Sequence, residues 1–554
     1  MTILTLQRKE LESHIGTITK QKEDQITMFG TPVENISESE VSVEVFPNRP
    51  DLLSLEGFSR SFLQYLGKKG IAKFKVEKPE KDYQVKVEKS VKTVRPYTVC
   101  AIMKGLKFDD EKIKQIIDIQ EKLHNSIGRK RKKIAIGIYP LEKIKLPIRF
   151  IAKKPEDIKF IPLEMDKEVN ARQILKQHPT GREYAHLLEN ENVFPIFVDA
   201  DDRILSMPPI INSSETGKIS EKTKDVFIEC SGFNLEHQKK CLNMLVTTLS
   251  EMQGKIYSME IVDSEKGHFT TPNLEPEKLE FKIEDINKTL GLELTEKQIK
   301  NNLEKMGIGF EKVKDKKSEK TLALIPAYRT DILHWIDLTE EIAIAYGYDN
   351  FKPELPKIAT IAQENPISKI RKKVQEILSG LGFLEVSSYH LTTKEDIKKM
   401  HFDFREFIEL ENSKTEYNCL RNDLLSNLMK VISENSDSGY PQRIFEIGSV
   451  FEKDSSKESK IKESENLSIA ITDEKTNFTE IKQTLDYIFK MLDKEYKIEI
   501  CEDSNYITGR VGNIIVNRKN IGQIGEIAPR VLKNWKIKMP VSALEIDIDW
   551  LRLD

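Results

Sequence analysis

Within "IPAYRTDILHWIDLTEEIAIAYGY", Ile325 to Tyr348, four carboxylates, Asp331, Asp337, Glu340 and Glu341, fall inside eleven residues. Oxygen donors of this kind suit a hard cation, magnesium first among them, with two or more waters completing its shell. Leu338, Ile342, Ala345 and Tyr346 recur at i, i+4, i+7 and i+8, which predicts a helix with one buried stripe. Asp337, Glu340 and Glu341 then share a patch of surface on roughly the opposite side. Asp331 is out of phase with that helix and has to act from a cap or from the turn that "YRTD" predicts. Like charges at i, i+4 repel by a few tenths of a kcal/mol, so a compensating group is expected. The alternative is a solvated face whose acids stabilise the dipole of the helix N-terminus.

The elements that position these acids belong to a chain of 554 residues, enough for three or four domains at ~150 residues each. Charged residues make up 32%, with 87 Lys+Arg against 90 Asp+Glu, so no global field is built for nucleic acid or membrane. Any RNA contact has to come from a local patch such as "GRKRKK", where Arg129 to Lys133 are five consecutive cations; the alternative is a solvated turn. Cys100, Cys230, Cys241, Cys419 and Cys501 are widely spaced, without Cys-x-x-Cys, which argues against a disulfide framework and a zinc site. The start "MTILTLQRKELESHIG" carries no targeting pattern, and nothing in the chain directs it into a membrane, so the cytoplasm is the expected compartment.

Four domains are expected. Residues 1–85 hold the strand "VSVEVF", the turn "PNRPD" and the helix "LLSLEGFSRSFLQYLG". In that turn Pro47 and Pro50 fix φ and Arg49 reads as structural or interfacial. Residues 86–272 alternate apolar runs such as "FPIFVDA" and "DVFIECSG" with helical stretches, a mixed α/β domain. Residues 273–355 read as two helices, a β-hairpin and the acidic helix, a small winged-helix-like module. Residues 360–554 carry strands at "RIFEIGSVFE", "NLSIAIT", "GNIIVN" and "SALEIDID", consistent with one antiparallel sheet, while "KDSSKESKIKESEN" reads as a flexible hairpin tip or loop. The fold class is thus a multidomain α/β and α+β chain, with no internal repeat evident.

Three stretches together, "VFPNRPDLLSLEGFSR", "AYRTDILHWIDLTEEIAIAYGYDNF" and "IGQIGEIAPRVL", resemble the β subunit of phenylalanyl-tRNA synthetase in its shorter archaeal and eukaryotic form. "HPTGREYAHLL", "LSMPPIINSSETGKI" and "LRNDLLSNLMKVI…PQRIFEIGSVF" extend the likeness from about residue 40 to the end. The resemblance implies the large subunit of an α₂β₂ heterotetramer that charges tRNA(Phe) with phenylalanine using ATP. It also implies a Mg²⁺ site at Asp331, Asp337, Glu340 and Glu341. The C-terminal region resembles a class II synthetase core, yet "RIFEIGSVF" lacks the Arg-x-Glu that grips ATP and no Walker motif occurs. No residue of this chain is therefore expected to activate the amino acid; ATP and phenylalanine act through the α subunit, against which the core packs. The extra C-terminal RNA-binding domain of longer relatives is not expected here.

Phenylalanine and tyrosine differ by one hydroxyl, which an apolar pocket rejects only ~10²-fold. The resemblance places a second site, hydrolysing mischarged tyrosyl-tRNA(Phe), in the middle domain. There Asn212, Ser213 and Glu215 are expected to orient the ester and a water, with turn and cap hydrogen bonding as the alternative for the first two. Glu229, an acid in an apolar strand, is expected to read the tyrosine hydroxyl; the alternative is a strand residue facing water or a lysine. Arg129, Lys130 and Arg131 are expected to hold the tRNA 3′ end through phosphates. His178 and His186 read as packing or capping residues more than as bases. Tyr139 and Pro140 stand where the family often has His-Asp, and no chemistry is assigned to them.

Two other functions compete: a non-catalytic RNA-binding adaptor that kept this architecture, and an unrelated nucleic-acid binder built on the small module. For the latter the helix "TEKQIKNNLEKMG" offers only three Lys beside two Glu.

Overall fold

Alternation in "EVSVEV" buries Val41, Val43 and Val45 on one face of strand Glu40–Val45, which pairs antiparallel with both Thr2–Gln7 and Val33–Ile36. Helix Leu55–Tyr65, capped by the Ser54 side chain on the Gly57 N–H, packs Phe58 and Phe62 into the same core. The structure is a computed structural model that describes residues 2–315, 318–356, 358–400 and 406–553. Two units divide the chain between Leu355 and Pro356. Among the described residues no helix is long and apolar enough to cross a membrane.

The order of elements in this first module is strand, helix, helix, strand, strand, turn, helix, with sheet order first, third, second. The same order recurs in Glu277–Phe281, Ile283–Leu290, Glu296–Lys305, Gly309–Asp315, Ser318–Ile325 and Trp335–Tyr346, again with the last strand central. Cap positions match as well: Gly16 and Gly291 close the first helices with positive φ, and Thr19 and Thr295 cap the second ones. The chain therefore contains an internal repeat that the sequence pattern did not reveal, because the two copies share backbone geometry and core periodicity but few residue identities.

Between the copies lies an eleven-stranded sheet. Strand Tyr97–Lys104 sits near one end, with Val226–Gly232 and then Ile134–Pro140 beyond it. Strand Gln84–Val87 runs parallel to Lys255–Asp263 within this sheet, so the boundary expected at 85/86 falls inside a strand. Helix Leu235–Glu251 covers the face carrying Val99, Ala101 and Met103; the opposite face buries Cys100, Ile102, Phe150, Phe197 and Phe227.

The second unit is built on a seven-stranded sheet, antiparallel except where Leu384–Glu385 runs parallel to Gln442–Lys453. Adjacent residues serve opposite faces. Phe445, Ile469 and Leu544 meet helices Pro366–Gly380 and Phe478–Met491, while Ile444, Ala470 and Ala543 meet Leu425–Glu434 and Pro529–Asn534. The insert expected as a hairpin tip or loop is a hairpin end: Lys453 pairs with Ile461, residues 454–460 make the turn, and pairing continues through Asn466. Charged side chains suit solvent there, and the backbone still satisfies its hydrogen bonds.

Candidate functional site

Strand Val226–Gly232 is buried along its whole length, and its register places Glu229 opposite Cys100 on one side and Gly137 on the other. Gly137 is what admits the carboxylate: a Cβ there would lie 2.1 Å from Tyr139 Oη and 2.6 Å from Glu229 Oε1. The Tyr139 hydroxyl lies 2.7 Å from Ser206 Oγ, 3.3 Å from Glu229 Oε1 and 3.5 Å from Asn212 Oδ1. Tyr139 belongs to one edge strand of the sheet and Ser206 to the second strand from the other edge, so the sheet curls until its ends meet through this phenol. Glu229 Oε2 is buried without a partner. Burial pushes the Glu229 carboxyl up to about 8, against the opposing pull of the buried Arg95 guanidinium and the Tyr139 and Ser231 hydroxyls. At neutral pH it is a neutral acid. Arg95 itself is held by Ser231, through Oγ at 3.0 Å and the carbonyl at 2.6 Å.

Glu229, Asn212 and Ser206 line a cavity of about 660 Å³ whose walls include Ile113, Ile116, Ile138 and the Pro208–Pro209 corner. Its size and its mix of apolar walls with a few polar groups are those of a small-ligand pocket. His124 also lines it. The Ile136 N–H donates to His124 Nε2 at 2.8 Å, so the proton sits on Nδ1 and is donated to Glu121 at 3.1 Å. Burial lowers the His124 pKa, and the imidazole stays neutral.

Of the residues singled out from sequence, the structure brings Asn212 and Glu229 together. Ser213 and Glu215 stay apart from them: Ser213 is buried and its Oγ accepts the Glu215 N–H at 3.3 Å as a helix cap, while Glu215 is exposed to solvent. Its neighbour Ser214 lines the cavity instead. One residue of register decides which serine faces inward. Arg129, Lys130 and Arg131 form a turn in which all three adopt left-handed φ of 47°, 53° and 61°. Arg129 and Lys130 are exposed, whereas Arg131 turns inward, donating to Glu121 at 2.7 Å and to the Ile210 carbonyl at 2.9 Å above the Tyr184 ring. Arg131 is thus a brace for the cavity wall, and only its two neighbours are free for phosphates. His178 is a buried cap, accepting the Thr180 N–H at 3.2 Å and donating to the Leu163 carbonyl at 2.9 Å; His186 is exposed. Ser206, His124 and Arg95 carry no signal in the sequence, and Tyr139 carries none that assigns it a role. Their types are ordinary within apolar strands and helices, and only the curl of the sheet makes them neighbours.

The acidic helix differs from its expected form. Arg329, buried to 1% exposure, forks onto Asp331 with Nε at 2.8 Å and Nη2 at 2.7 Å, and also meets both oxygens of Glu341 at 2.8 and 3.1 Å. Burial pushes Asp331 upward, but the Arg329 guanidinium prevails and holds it below the usual carboxylate range. Asp337 Oδ2 accepts the N–H groups of Leu333 and His334, each at 2.8 Å, as half of a capping box. Glu340 alone is solvent-exposed. The expected shared patch of three acids is therefore corrected: Glu341 points inward, because the compensating cation is a buried arginine twelve positions earlier. These four residues do not fit a Mg²⁺ ion as one ligand set. Among the described residues no group of three or more His, Cys, Asp or Glu side chains converges to hold a metal.

In the second unit Glu446 is buried and bound to Arg421 at 2.6 Å and to the Ser388 hydroxyl at 2.6 Å, and Arg443 pairs with Glu480 at 2.9 Å. Of the two charged side chains of "RIFE", Glu446 is committed to buried partners, while Arg443 makes a partly exposed pair.

Family models match these parts. "B3/4 domain" matches residues 83–254, "tRNA synthetase B5 domain" residues 279–348, and "Phenylalanyl tRNA synthetase beta chain CLM domain" residues 352–548. The class is that of aminoacyl-tRNA synthetase subunits. The chain is 39% identical over 502 residues to the phenylalanine–tRNA ligase beta subunit of Thermococcus sibiricus, covering 90% of this chain and 88% of that one. With the corresponding protein of Archaeoglobus fulgidus it is 36% identical, over 99% and 98% of the two chains. The crystal structure of an N-terminal fragment of the phenylalanyl-tRNA synthetase beta subunit from Pyrococcus horikoshii superimposes with a TM-score of 0.58 at 36% identity, covering 62% of this chain and 99% of the fragment. The chain belongs to the phenylalanine–tRNA ligase beta subunit family.

Proposed function

We propose that this subunit pairs with an α subunit in an α₂β₂ phenylalanine–tRNA ligase of the cytoplasm, leaves amino-acid activation to α, and hydrolyses tyrosyl-tRNA(Phe) in its own middle domain. The observation that carries the editing role is the unpartnered, buried Oε2 of Glu229 at the cavity. The Tyr139 hydroxyl lies 2.7 Å from Ser206 Oγ and donates toward Glu229 Oε1 at 3.3 Å, so Oε1 has a neighbour and Oε2 has none. Oε2 is then the oxygen left for an incoming phenol to hydrogen-bond. A tyrosyl group satisfies it; a phenylalanyl group leaves it unpaired and buried, the asymmetry that lifts discrimination to ~10⁴-fold. Asn212 and Ser206 line the same cavity, and the exposed Arg129 and Lys130 offer phosphate contacts.

Activation on α is supported by the commitment of the buried Glu446 to Arg421 and Ser388, which leaves that carboxylate unavailable to ATP. We assign the 273–355 module a winged-helix-like fold and 360–554 a class II synthetase-like core without catalytic residues. Mg²⁺ needed with ATP belongs to the α site in this reading, since the acidic helix spends its oxygens on Arg329 and on a cap. The test is deacylation of tyrosyl-tRNA(Phe) by the α/β complex carrying Glu229→Ala, alongside phenylalanine-dependent pyrophosphate exchange. Loss of deacylation with exchange retained supports the assignment. Retained deacylation removes Glu229 from it, and exchange by this chain without α removes the division of labour.

A further inference from the structure

A second cavity, of about 490 Å³, lies between the first module and helix Asp110–Asn125 and plays no part in the function above. Its apolar lining comes from Leu4, Leu53, Leu55 and Ile119. Five carboxylates line it, Glu10, Glu56, Asp110, Glu111 and Asp118, against one ammonium, Lys114. Several of these are already engaged: Lys114 meets Asp110 at 2.9 Å, Gln115 donates to Glu10 at 2.7 Å, and Asp118 pairs with Lys122. Glu56 is different. It is 8% exposed, and its Oε2 is buried with no hydrogen-bond partner. A carboxylate oxygen kept from water without a donor costs about 1–3 kcal/mol, more if charged, unless a ligand supplies the donor.

We propose that this cleft binds a linear polyamine, with one ammonium on Glu56 and a second on the exposed rim acid Glu111. The chemistry is matched in both halves, since methylene spacers suit the leucine and isoleucine lining and the charged nitrogens suit acids on either side of it. A compact hydrated divalent ion has no use for that lining. A guanidinium fixed on a protein partner would meet Glu56 but leave the length of the cleft empty.

The groups around Glu56 set the pH dependence. Burial pushes its carboxyl up to about 7, helped by Glu10 on one side and Glu251 on another, with its own backbone N–H and His14 pulling down. Asp110, Glu111, Lys114 and Asp118 face the cleft from the helix opposite. A bound ammonium requires the ionised form, so affinity rises as pH passes upward through about 7.

The experiment is calorimetric titration of RNA-free full chain with spermidine at about pH 8.5 and about pH 5.5, repeated with Glu56→Gln and with Glu111→Lys on the exposed rim. Saturable one-to-one binding at the higher pH is expected, weakened ~10-fold or more by either substitution and by the lower pH. Absence of saturable binding at millimolar spermidine overturns the proposal, as does an affinity that neither substitution changes. Binding of an oligolysine peptide where spermidine does not bind assigns the cleft to a protein partner and overturns it equally. Glu111→Lys, at an exposed position, keeps the site testable even if Glu56→Gln fails to fold.

Discussion

The two copies of the small module make the same turn with the same fork and load it differently. A shift of 280 positions aligns Arg49 with Arg329, Asp51 with Asp331, Ser54 with His334 and Gly67 with Gly347. Arg49 grips Asp51 at 2.9 and 3.0 Å as Arg329 grips Asp331, and the Thr330 hydroxyl donates to the Asn48 carbonyl at 3.4 Å, joining one turn to the other. The acids that set the second helix apart, Asp337, Glu340 and Glu341, stand where the first has Gly57, Arg60 and Ser61. Arg49 keeps 11% exposure and lies over the Phe29 ring, whereas Arg329 keeps 1% and takes two carboxylates. In this pair of turns the deeper arginine takes two carboxylates and the shallower one takes one. At this helix a buried arginine accounts for two of the four acids, Asp331 and Glu341, and a cap accounts for Asp337.

The largest test of this contrast is Arg329→Met against Arg49→Met. Removing Arg329 strands two buried carboxylates and is expected to cost ~3–5 kcal/mol of unfolding free energy in urea, while removing Arg49 strands one and costs about half as much. Equal losses would break the comparison. Glu229 extends it to an acid raised by burial despite a nearby arginine. Its folded pKa of about 8 lies above its unfolded value, so the stability associated with its proton is fully present below about pH 4.3 and is lost as pH rises to about 8. Glu229→Gln is therefore expected to gain stability relative to the unmodified chain between about pH 5.5 and 8.5, by several kcal/mol at most, read from melting curves at both pH values. A constant difference would show that the carboxyl is ionised in the folded state throughout.

A smaller effect is expected from Asp337→Ala, about 1 kcal/mol for a lost cap, with magnesium making no difference to the loss. Smallest of all is magnesium itself. An ion held by the helix would stabilise the chain by about 1.4 kcal/mol at ten times its Kd, and the melting temperature is expected not to move. A rise abolished by Glu340→Gln would restore the ion and reverse the reading of the helix.

Much of the fold was legible. The strands "VSVEVF", "DVFIECSG" and "RIFEIGSVFE" and the helices that follow their turns lie where periodicity put them, since period 2 and period 3.6 are local consequences of which face is buried. Glu229 was legible as a residue in need of a partner because a lone acid in an apolar strand is a local anomaly. Ser213 could not be told from Ser214, which has the same chemistry, and only the backbone path through Asn212 selects between them. The repeat went unseen because core positions tolerate exchange of one apolar residue for another, so geometry persists after identities are lost.

Residues close along the chain sufficed for the local elements, the charge balance and the motif order that marks the family. Pairing at a distance came only with folding. Tyr139 meets Ser206 across a curled sheet, the two arginine turns meet through Thr330 and Asn48, and Glu56 is enclosed by a helix from another domain. Burial and the identity of the nearest opposite charge fix what an acid does, and neither is a property of its neighbours in sequence.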